Sequence, residues 1–326
     1  MITSLLLLGA GLVGLIVGSE LAVSAATRLA RWLGVSSWVV GLTIASIGTS
    51  LPEISTNIAA AWSTRAGVDA SELAVGNVVG SCLSQITLLL GFTAILSPLV
   101  LPRGGARRDM GAAIVALLLM GWMSWDGVVD WNDALILIGA YGVYLVIAVL
   151  TADRPPPAKE RPRFGLWQAL KGVIGLGIVV VGADAVVTGG VSLAEALGLG
   201  RTTIGLMVGL GTGLPELAIA VRAVLAGSGS LSLGNLIGSN ITDPLLTLGS
   251  GALIHPLTVR HEVLIFDLPI WLGCTLLALL FLVTGRRLTR FEGLLLVLVF
   301  FAYVLARAML SSAWMEGVGF HTLPWA

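Results

Sequence analysis

The sequence has little charge for its length. Of 326 residues only 11% are charged, with 18 basic and 18 acidic side chains, whereas a soluble domain has about 25%. A chain with so few charges cannot cover a large water-facing surface. Its net charge of zero gives no reason to expect a nucleic acid as a partner, and no feature of the sequence calls for an obligate protein partner.

Cysteine and histidine are also scarce. The two cysteines, Cys82 and Cys274, lie far apart in apolar segments, and the chain has three histidines. Two isolated cysteines provide neither the paired spacing of a metal site nor a disulfide framework. The sequence therefore gives no indication of a cofactor, and membrane lipid is the one surrounding that its composition requires.

Long apolar runs are abundant instead. Hydrophobic residues make up 56% of the chain and its mean hydropathy is +0.98, and a transmembrane helix needs about 20 such residues. The sequence predicts an all-α polytopic membrane protein with ten transmembrane helices, at 3–25, 36–62, 73–98, 109–125, 132–151, 166–192, 202–226, 231–254, 263–284 and 291–312. The first stretch ends like a signal peptide, but it lacks a basic start and contains Glu20, so we expect it to be retained.

The polar run TADRPPPAKERPRFG divides these helices into two sets of five. It predicts a first five-helix repeat at 1–151, a cytoplasmic linker at 152–165, and a second repeat with a short C-terminal tail at 166–326. Of the 18 Lys and Arg residues, all but four fall on the side of the membrane that holds this linker; the four are Arg65, Arg201, Arg260 and Arg307. Because basic residues favour the cytoplasmic side, we expect an integral plasma (inner) membrane protein with both termini extracytoplasmic.

Three motifs occur once in each half and in the same order. They are VGSE at 17–20 and VGAD at 181–184, GTSLPE at 48–53 and GTGLPE at 211–216, and GNVVGSCLSQ at 76–85 and GNLIGSNITD at 234–243. Since each half has an odd number of helices, the second copy enters the membrane from the opposite side. Such inverted repeats are typical of secondary transporters, whose broken helices meet near the bilayer midplane.

The duplicated hexapeptide combines a helix breaker with a carboxylate. Pro52 and Pro215 lack an N–H group, so each frees a carbonyl one turn earlier in the chain. Thr49 and Ser50 lie on the same helical face as Glu53, and the pairs Ser81 with Gln85 and Ser239 with Asp243 are spaced four residues apart. All of these groups offer oxygen, which hard cations such as calcium and sodium prefer.

The carboxylates have no basic neighbour in their own helices. Glu53, Glu216 and Asp243 lie in segments whose central parts contain no Lys or Arg, and one intramembrane charge costs from about 3 to over 10 kcal/mol. These groups must therefore bind mobile cations or protons. An anionic site without a bound cation is reoriented across the membrane poorly, whereas a site with bound cations can be reoriented. Electrostatics alone therefore predicts obligatory exchange.

These motifs resemble the two alpha-repeats of the calcium/cation antiporter superfamily, in its prokaryotic sodium/calcium exchanger branch, over motif regions 41–91 and 205–249. The resemblance implies calcium and sodium as the transported ions, with protons competing, and two long tilted helices, the first and the sixth, that slide across a core. It implies three carboxylates and a set of oxygen ligands: Glu53, Glu216, Asp243, Thr49, Ser50, Thr212, Ser81, Ser239, Gln85, and the carbonyls of Ser46 and Gly209.

Two positions depart from the pattern of that family. Gly213 replaces a serine, which removes one hydroxyl group, and Gln85 replaces an asparagine or aspartate, which keeps an amide and lengthens it by one methylene. The supporting residues Asn77 and Asn235 are equally compatible with a role at the site and with a role in tying helix ends together.

Other functions remain open at this stage. A proton/calcium antiporter, an exchanger of another divalent cation, and a sodium/proton exchanger would share the same architecture. An intramembrane hydrolase would need a nucleophile–base pair or metal-binding histidines, and all three histidines lie near the predicted outer face or the C-terminus. We therefore expect a transporter and not an enzyme.

Overall fold

The computed structural model describes residues 2–101, 106–152, 163–196 and 211–315. This part of the chain is almost entirely helical. Its helices are α1 Ile2–Leu33, α2 Ser37–Thr49, α3 Leu51–Arg65, α4 Ser71–Leu96, α5 Ala106–Met123, α6 Trp131–Leu150, α7 Leu166–Ala196, α8 Leu214–Leu225, α9 at 229–252, α10 Val263–Thr284 and α11 Arg290–Met315. The predicted helical class is confirmed for these residues. Most of the predicted linker and the site residue Gly209 lie outside them.

Six of the described helices are long and apolar enough to cross a membrane: α1, α4, α6, α7, α10 and α11. The predicted stretch 36–62 is not one helix, because it is interrupted at Ser50 between α2 and α3. The first helix also runs further than predicted, to Leu33 instead of residue 25.

The distribution of polar residues is the reverse of that in a soluble protein. Large apolar side chains cover the outside, with Leu6 67%, Val13 60% and Leu150 76% exposed, while Glu53 and Asp243 are fully buried. An apolar exterior of this extent requires an apolar surrounding. The described helices therefore form a membrane-embedded bundle around a polar centre.

Two short strand pairs join the ends of this bundle. Strand β1 (Leu99–Val100) pairs antiparallel with β4 (Arg287–Leu288), and β2 (Val128–Val129) pairs antiparallel with β3 (Leu257–Thr258). The first pair connects the end of α4 with the turn between α10 and α11, and the second connects the α5–α6 turn with the α9–α10 turn. Each pair therefore holds a connection from the first half against one from the second half.

Helices α1 and α7 pack against each other along most of their length. Their glycines allow backbone contact: a Cβ atom on Gly18 would lie 2.7 Å from the carbonyl oxygen of Gly175, and one on Gly11 would lie 2.6 Å from that of Gly182. Because the residue numbers rise on one helix as they fall on the other, the two helices are antiparallel. Glu20 of α1 also forms an ion pair with Arg222 of α8.

Helices α2 and α9 are in equally close contact but run in the same direction. A Cβ atom on Gly234 would lie 2.5 Å from the carbonyl oxygen of Trp38, and one on Gly238 would lie 2.7 Å from that of Leu42. The constant offset between these residue numbers shows that the helices are parallel. This contact brings the break after α2 against the middle of α9.

Two neighbouring glycines of α7 allow a test of the α1–α7 contact. A Cβ atom on Gly175 would lie 2.6 Å from the backbone nitrogen of Ala22, whereas one on Gly177 would meet nothing within 4 Å. Backbone atoms cannot move aside easily, so we expect Gly175→Ala to destabilise the purified protein by about 1–3 kcal/mol. Gly177→Ala is the matched control and should be neutral or stabilising, because alanine favours helix. Equal thermal unfolding midpoints for the two variants would contradict the described contact.

Candidate functional site

Both copies of the hexapeptide form the same helix break. Ser50 precedes α3 with φ −79° and ψ 2°, and Gly213 precedes α8 with φ −81° and ψ 1°. A proline follows in the first turn of each helix, where its missing N–H group costs least. Since any residue can adopt these angles, the backbone does not require glycine at 213. Its effect at this position is the absence of a hydroxyl group.

Each break places a glutamate in the first turn of a helix. Glu53 lies in the first turn of α3 and Glu216 in that of α8, and both side chains are fully buried. The positive end of a helix dipole stabilises a carboxylate at this position. Glu53 lies within electrostatic reach of Glu216 and Asp243, and Glu216 within that of Asp243.

The side chains of the two glutamates are open in the described part of the bundle. Within the described residues, none of their four carboxylate oxygens accepts a hydrogen bond. The ion pairs found there join Arg108 with Asp109, Arg222 with Glu20, Arg260 with Glu72, and Arg307 with Asp267. Neither glutamate takes part, so two buried carboxylates face the interior of the bundle with their oxygens open.

Polar side chains from α9 and α4 surround the first break. The Thr49 hydroxyl lies 3.4 Å from the amide oxygen of Asn235. The Ser50 hydroxyl lies 3.5 Å from the Ser239 hydroxyl. Asn77 donates from Nδ2 to the carbonyl oxygen of Glu53 at 3.4 Å. The structure therefore brings these predicted residues of both halves together, and it places Asn77 against the backbone of Glu53.

The remaining predicted residues differ in their surroundings. The Ser81 hydroxyl is buried and makes no hydrogen bond within the described part of the chain. The Ser46 carbonyl, by contrast, accepts the backbone N–H of Ser50 at 2.9 Å and the hydroxyl of Thr49 at 3.2 Å. Thr212 is partly buried beside the second break.

Gln85 and Asp243 lie at matching positions on α4 and α9. Each begins a five-residue π-helical turn, Gln85–Leu89 and Asp243–Thr247. Gln85 donates from Nε2 to Asp243 Oδ2 at 2.9 Å. Such turns are frequent at functional sites because the widened backbone redirects side chains.

Both oxygens of Asp243 accept hydrogen bonds, unlike those of the glutamates. Thr247 donates its hydroxyl to Oδ1 at 3.3 Å, opposite the bond from Gln85 to Oδ2. The amide oxygen of Gln85 in turn accepts Nδ2 of Asn240 at 3.0 Å. No group of three His, Cys, Asp or Glu side chains suited to a metal ion occurs in the described residues.

Sequence reasoning missed Thr247, Asn240 and also Trp271, which donates from Nε1 to the amide oxygen of Asn240 at 3.1 Å. Pro244, directly after Asp243, could have indicated the π-helical turn in α9, since it removes a helical N–H. No comparable signal exists for Trp271, because its partner lies on a different helix.

The arrangement contains oxygen ligands and charge. In the described residues around the breaks, the structure provides hydroxyls, amides and two open carboxylates. These groups suit a hard cation, because such cations bind carboxylate oxygens together with neutral oxygen ligands.

Comparison with known proteins agrees with this chemistry. The family described as "Sodium/calcium exchanger protein" matches residues 3–150 and 168–309. The sodium/calcium exchanger MaX1 of Methanosarcina acetivorans is 31% identical over an alignment of 343 positions, gaps included, that covers 92% of this chain and 97% of that protein. The inner membrane protein YrbG of Escherichia coli is 31% identical over 273 residues, which cover 78% and 81%.

A solved structure is similar over nearly the whole length. It is that of the sodium-calcium exchanger NCX_Mj soaked with sodium and calcium ions, which has a TM-score of 0.81, is 30% identical, and covers 94% of this chain and 98% of its own. The chain therefore belongs to the sodium/calcium exchanger family, as the duplicated motifs predicted, and is a membrane transporter and not an enzyme.

Proposed function

We propose that this protein exchanges sodium for calcium by alternating access, with Glu53 and Glu216 as the central ligands. The observation that carries the proposal is the pair of buried carboxylates whose four oxygens accept no hydrogen bond in the described residues. Such a pair is costly in a membrane unless cations occupy it. Membership of the sodium/calcium exchanger family supports calcium and sodium as those cations.

The exchange follows from the charge of the two glutamates. One divalent cation or several monovalent cations can neutralise two carboxylates, so either kind of ion produces a site that can be reoriented. An empty site keeps its full negative charge. Because a charged site crosses the apolar barrier poorly, the carrier returns only after it has bound a cation on the other side.

Further ligands are proposed from the oxygens near the two breaks. The hydroxyl of Ser81 has no hydrogen-bond partner in the described part of the chain, and those of Ser50 and Ser239 meet across α3 and α9. The proposed ligands besides the glutamates are the hydroxyls of Thr49, Ser50, Thr212, Ser81 and Ser239 and the carbonyls of Ser46 and Gly209. Asn77 and Asn235 support the backbone and the hydroxyls around them.

We also propose that 1–151 and 166–326 are two inverted five-helix repeats. The parallel course of α2 and α9 and the antiparallel course of α1 and α7 are those that inversion requires. The two strand pairs support it too, because exchanging the halves converts the β1–β4 pair into the β3–β2 pair.

The moving part is proposed to be the α1–α7 pair. These helices hold to each other through backbone contacts, but an apolar cavity of about 190 Å³ lies between them and the rest of the bundle. Ala22 and Leu176 line one side of it, and Ile44 and Ile219 line the other. An apolar boundary that contains such a cavity is suited to sliding.

The proposed ion coupling can be tested in proteoliposomes. We expect an outward sodium gradient to drive uptake of radioactive calcium, and equal gradients of potassium or protons to drive little or none. Uptake driven by a proton gradient alone would identify a proton/calcium antiporter instead, and uptake of another divalent cation in preference to calcium would change the substrate.

The role of the glutamates can be tested by neutralising them. We expect Glu53→Gln or Glu216→Gln to reduce sodium-driven calcium uptake below about a tenth of wild type, because an intramembrane site needs the charge to bind a divalent cation. The cation-free variants should unfold at the same temperature as wild type or higher, since a buried unpaired carboxylate is removed. Calcium should no longer raise that temperature.

Glu72→Gln is the control for both measurements, because its side chain is 59% exposed. It should transport calcium and be stabilised by calcium as the wild type is. Uptake above a tenth of wild type in either glutamate variant would contradict the assignment.

Orientation can be tested with an impermeant maleimide in intact cells. The native cysteines are buried, so the wild type should react little. We expect a cysteine at the exposed Asp126, in the α5–α6 turn, to be labelled from outside, and one at the exposed Gly285 to be labelled only after permeabilisation. This pattern follows from the basic residues on the cytoplasmic side, and the opposite pattern would reverse the proposed topology.

A further inference from the structure

Four buried side chains form a continuous hydrogen-bonded chain across three helices. Trp271 of α10 donates to Asn240 of α9 at 3.1 Å, Asn240 donates to Gln85 of α4 at 3.0 Å, and Gln85 donates to Asp243 of α9 at 2.9 Å. All four side chains are at most 1% exposed. We call this chain the donor relay.

The direction of the donor relay is fixed at both ends. An indole N–H can only donate, so Asn240 must present its oxygen to Trp271 and its amide nitrogen to Gln85. Gln85 must then present its oxygen to Asn240 and its nitrogen to Asp243, and an ionised carboxylate can only accept. Turning over either amide, or both, would set two donors or two acceptors against each other at two of the three contacts. The orientation of both amides therefore follows from their hydrogen-bonding chemistry.

We infer that Gln85 is a fixed hydrogen-bond donor to Asp243 and not a cation ligand, and that Asn240 and Trp271 are the residues that position it. The inference rests on the proposed function, which it refines. The partly positive N–H group of Gln85 occupies Asp243 Oδ2, and the hydroxyl of Thr247 occupies Oδ1. That N–H group would repel a cation placed at Oδ2, so the relay works against a monovalent cation at this position. Glu53 and Glu216, whose oxygens accept no hydrogen bond in the described residues, are then the cation-binding carboxylates.

The direct test replaces the donor by an acceptor of the same shape. In Gln85→Glu, one carboxylate oxygen still accepts from Asn240, and the other faces Asp243 where the N–H group was. The two carboxylates then need a cation between them. We measure equilibrium binding of radioactive calcium to the purified protein in potassium or in choline. Wild-type binding should be the same in both, whereas calcium should bind Gln85→Glu several-fold more tightly in potassium.

The positioning role is tested by removing the first donor. Trp271→Phe keeps an aromatic ring but removes Nε1–H, so the direction of the two amides is then fixed at the Asp243 end alone. Calcium binding should then become sensitive to potassium in the same direction as in Gln85→Glu, by about twofold or more. Trp38→Phe is the matched control: Trp38 is equally buried at 1% exposed and donates to Asp109 at 2.8 Å, away from the relay. Its calcium binding should stay insensitive to potassium.

The results separate the two claims. Potassium-insensitive calcium binding by Gln85→Glu would overturn the donor assignment, and identical behaviour of Trp271→Phe and Trp38→Phe would overturn the positioning role. If Gln85→Glu does not fold, Asn240→Asp replaces it. An aspartate there competes with Asp243 for the N–H groups of Gln85, so the Gln85 oxygen must face one of the two carboxylates, and this should produce the same potassium sensitivity. Lack of sodium-driven uptake by the wild type would contradict the proposed function, while these binding comparisons would still decide the role of Gln85.

Discussion

The structure depends on the burial of negative charge without fixed positive charge to balance it. Glu53 and Glu216 lie at helix starts in the middle of an apolar bundle, and no basic side chain among the described residues pairs with them. Their position at the positive ends of α3 and α8 reduces the cost of the charge, and in the proposed function mobile cations remove the rest. Neither break could face lipid, where the freed backbone groups would have no partner. The closely packed α2 and α9 therefore enclose the first break, and the apolar side chains lie outside.

The two halves share a backbone design but not a chemistry. Ser50 and Gly213 have nearly the same angles, and Gln85 and Asp243 begin matching π-helical turns. The first half has the hydroxyl of Ser50 where the second half has Gly213, and it has the amide of Gln85 where the second half has the carboxylate of Asp243. A symmetric frame thus surrounds an asymmetric site. Selectivity can change through these side chains without any change in the helices that hold them.

The sequence predicted the features that have a local cause. Proline marks both helix breaks, the apolar runs mark the helices, and the repeated LPE marks the carboxylates. The features it did not predict depend on contacts between distant segments. Trp271 and Gln85 are linked through Asn240 of a third helix. Leu99 pairs with Leu288 in strands of two residues each, which are too short to show a strand pattern in the sequence. Whether a carboxylate accepts hydrogen bonds from other side chains also depends on such contacts. This is why Glu53 and Asp243, which read alike in the sequence, differ in the fold.

The strand pairs have a mechanical consequence. The β1–β4 pair and the β2–β3 pair involve the ends of α4, α5, α6, α9, α10 and α11, so these helices are stitched together by backbone hydrogen bonds at two separate places. Helices α1 and α7 take part in neither pair. Helices α2, α3 and α8 take part in neither pair as well, but in the proposed mechanism they stay with the braced helices, and the α1–α7 pair, joined to α8 by one ion pair, is the part that slides. If the α1–α7 pair slides as proposed, the ion site stays still, and its walls are uncovered in turn on either side of the membrane.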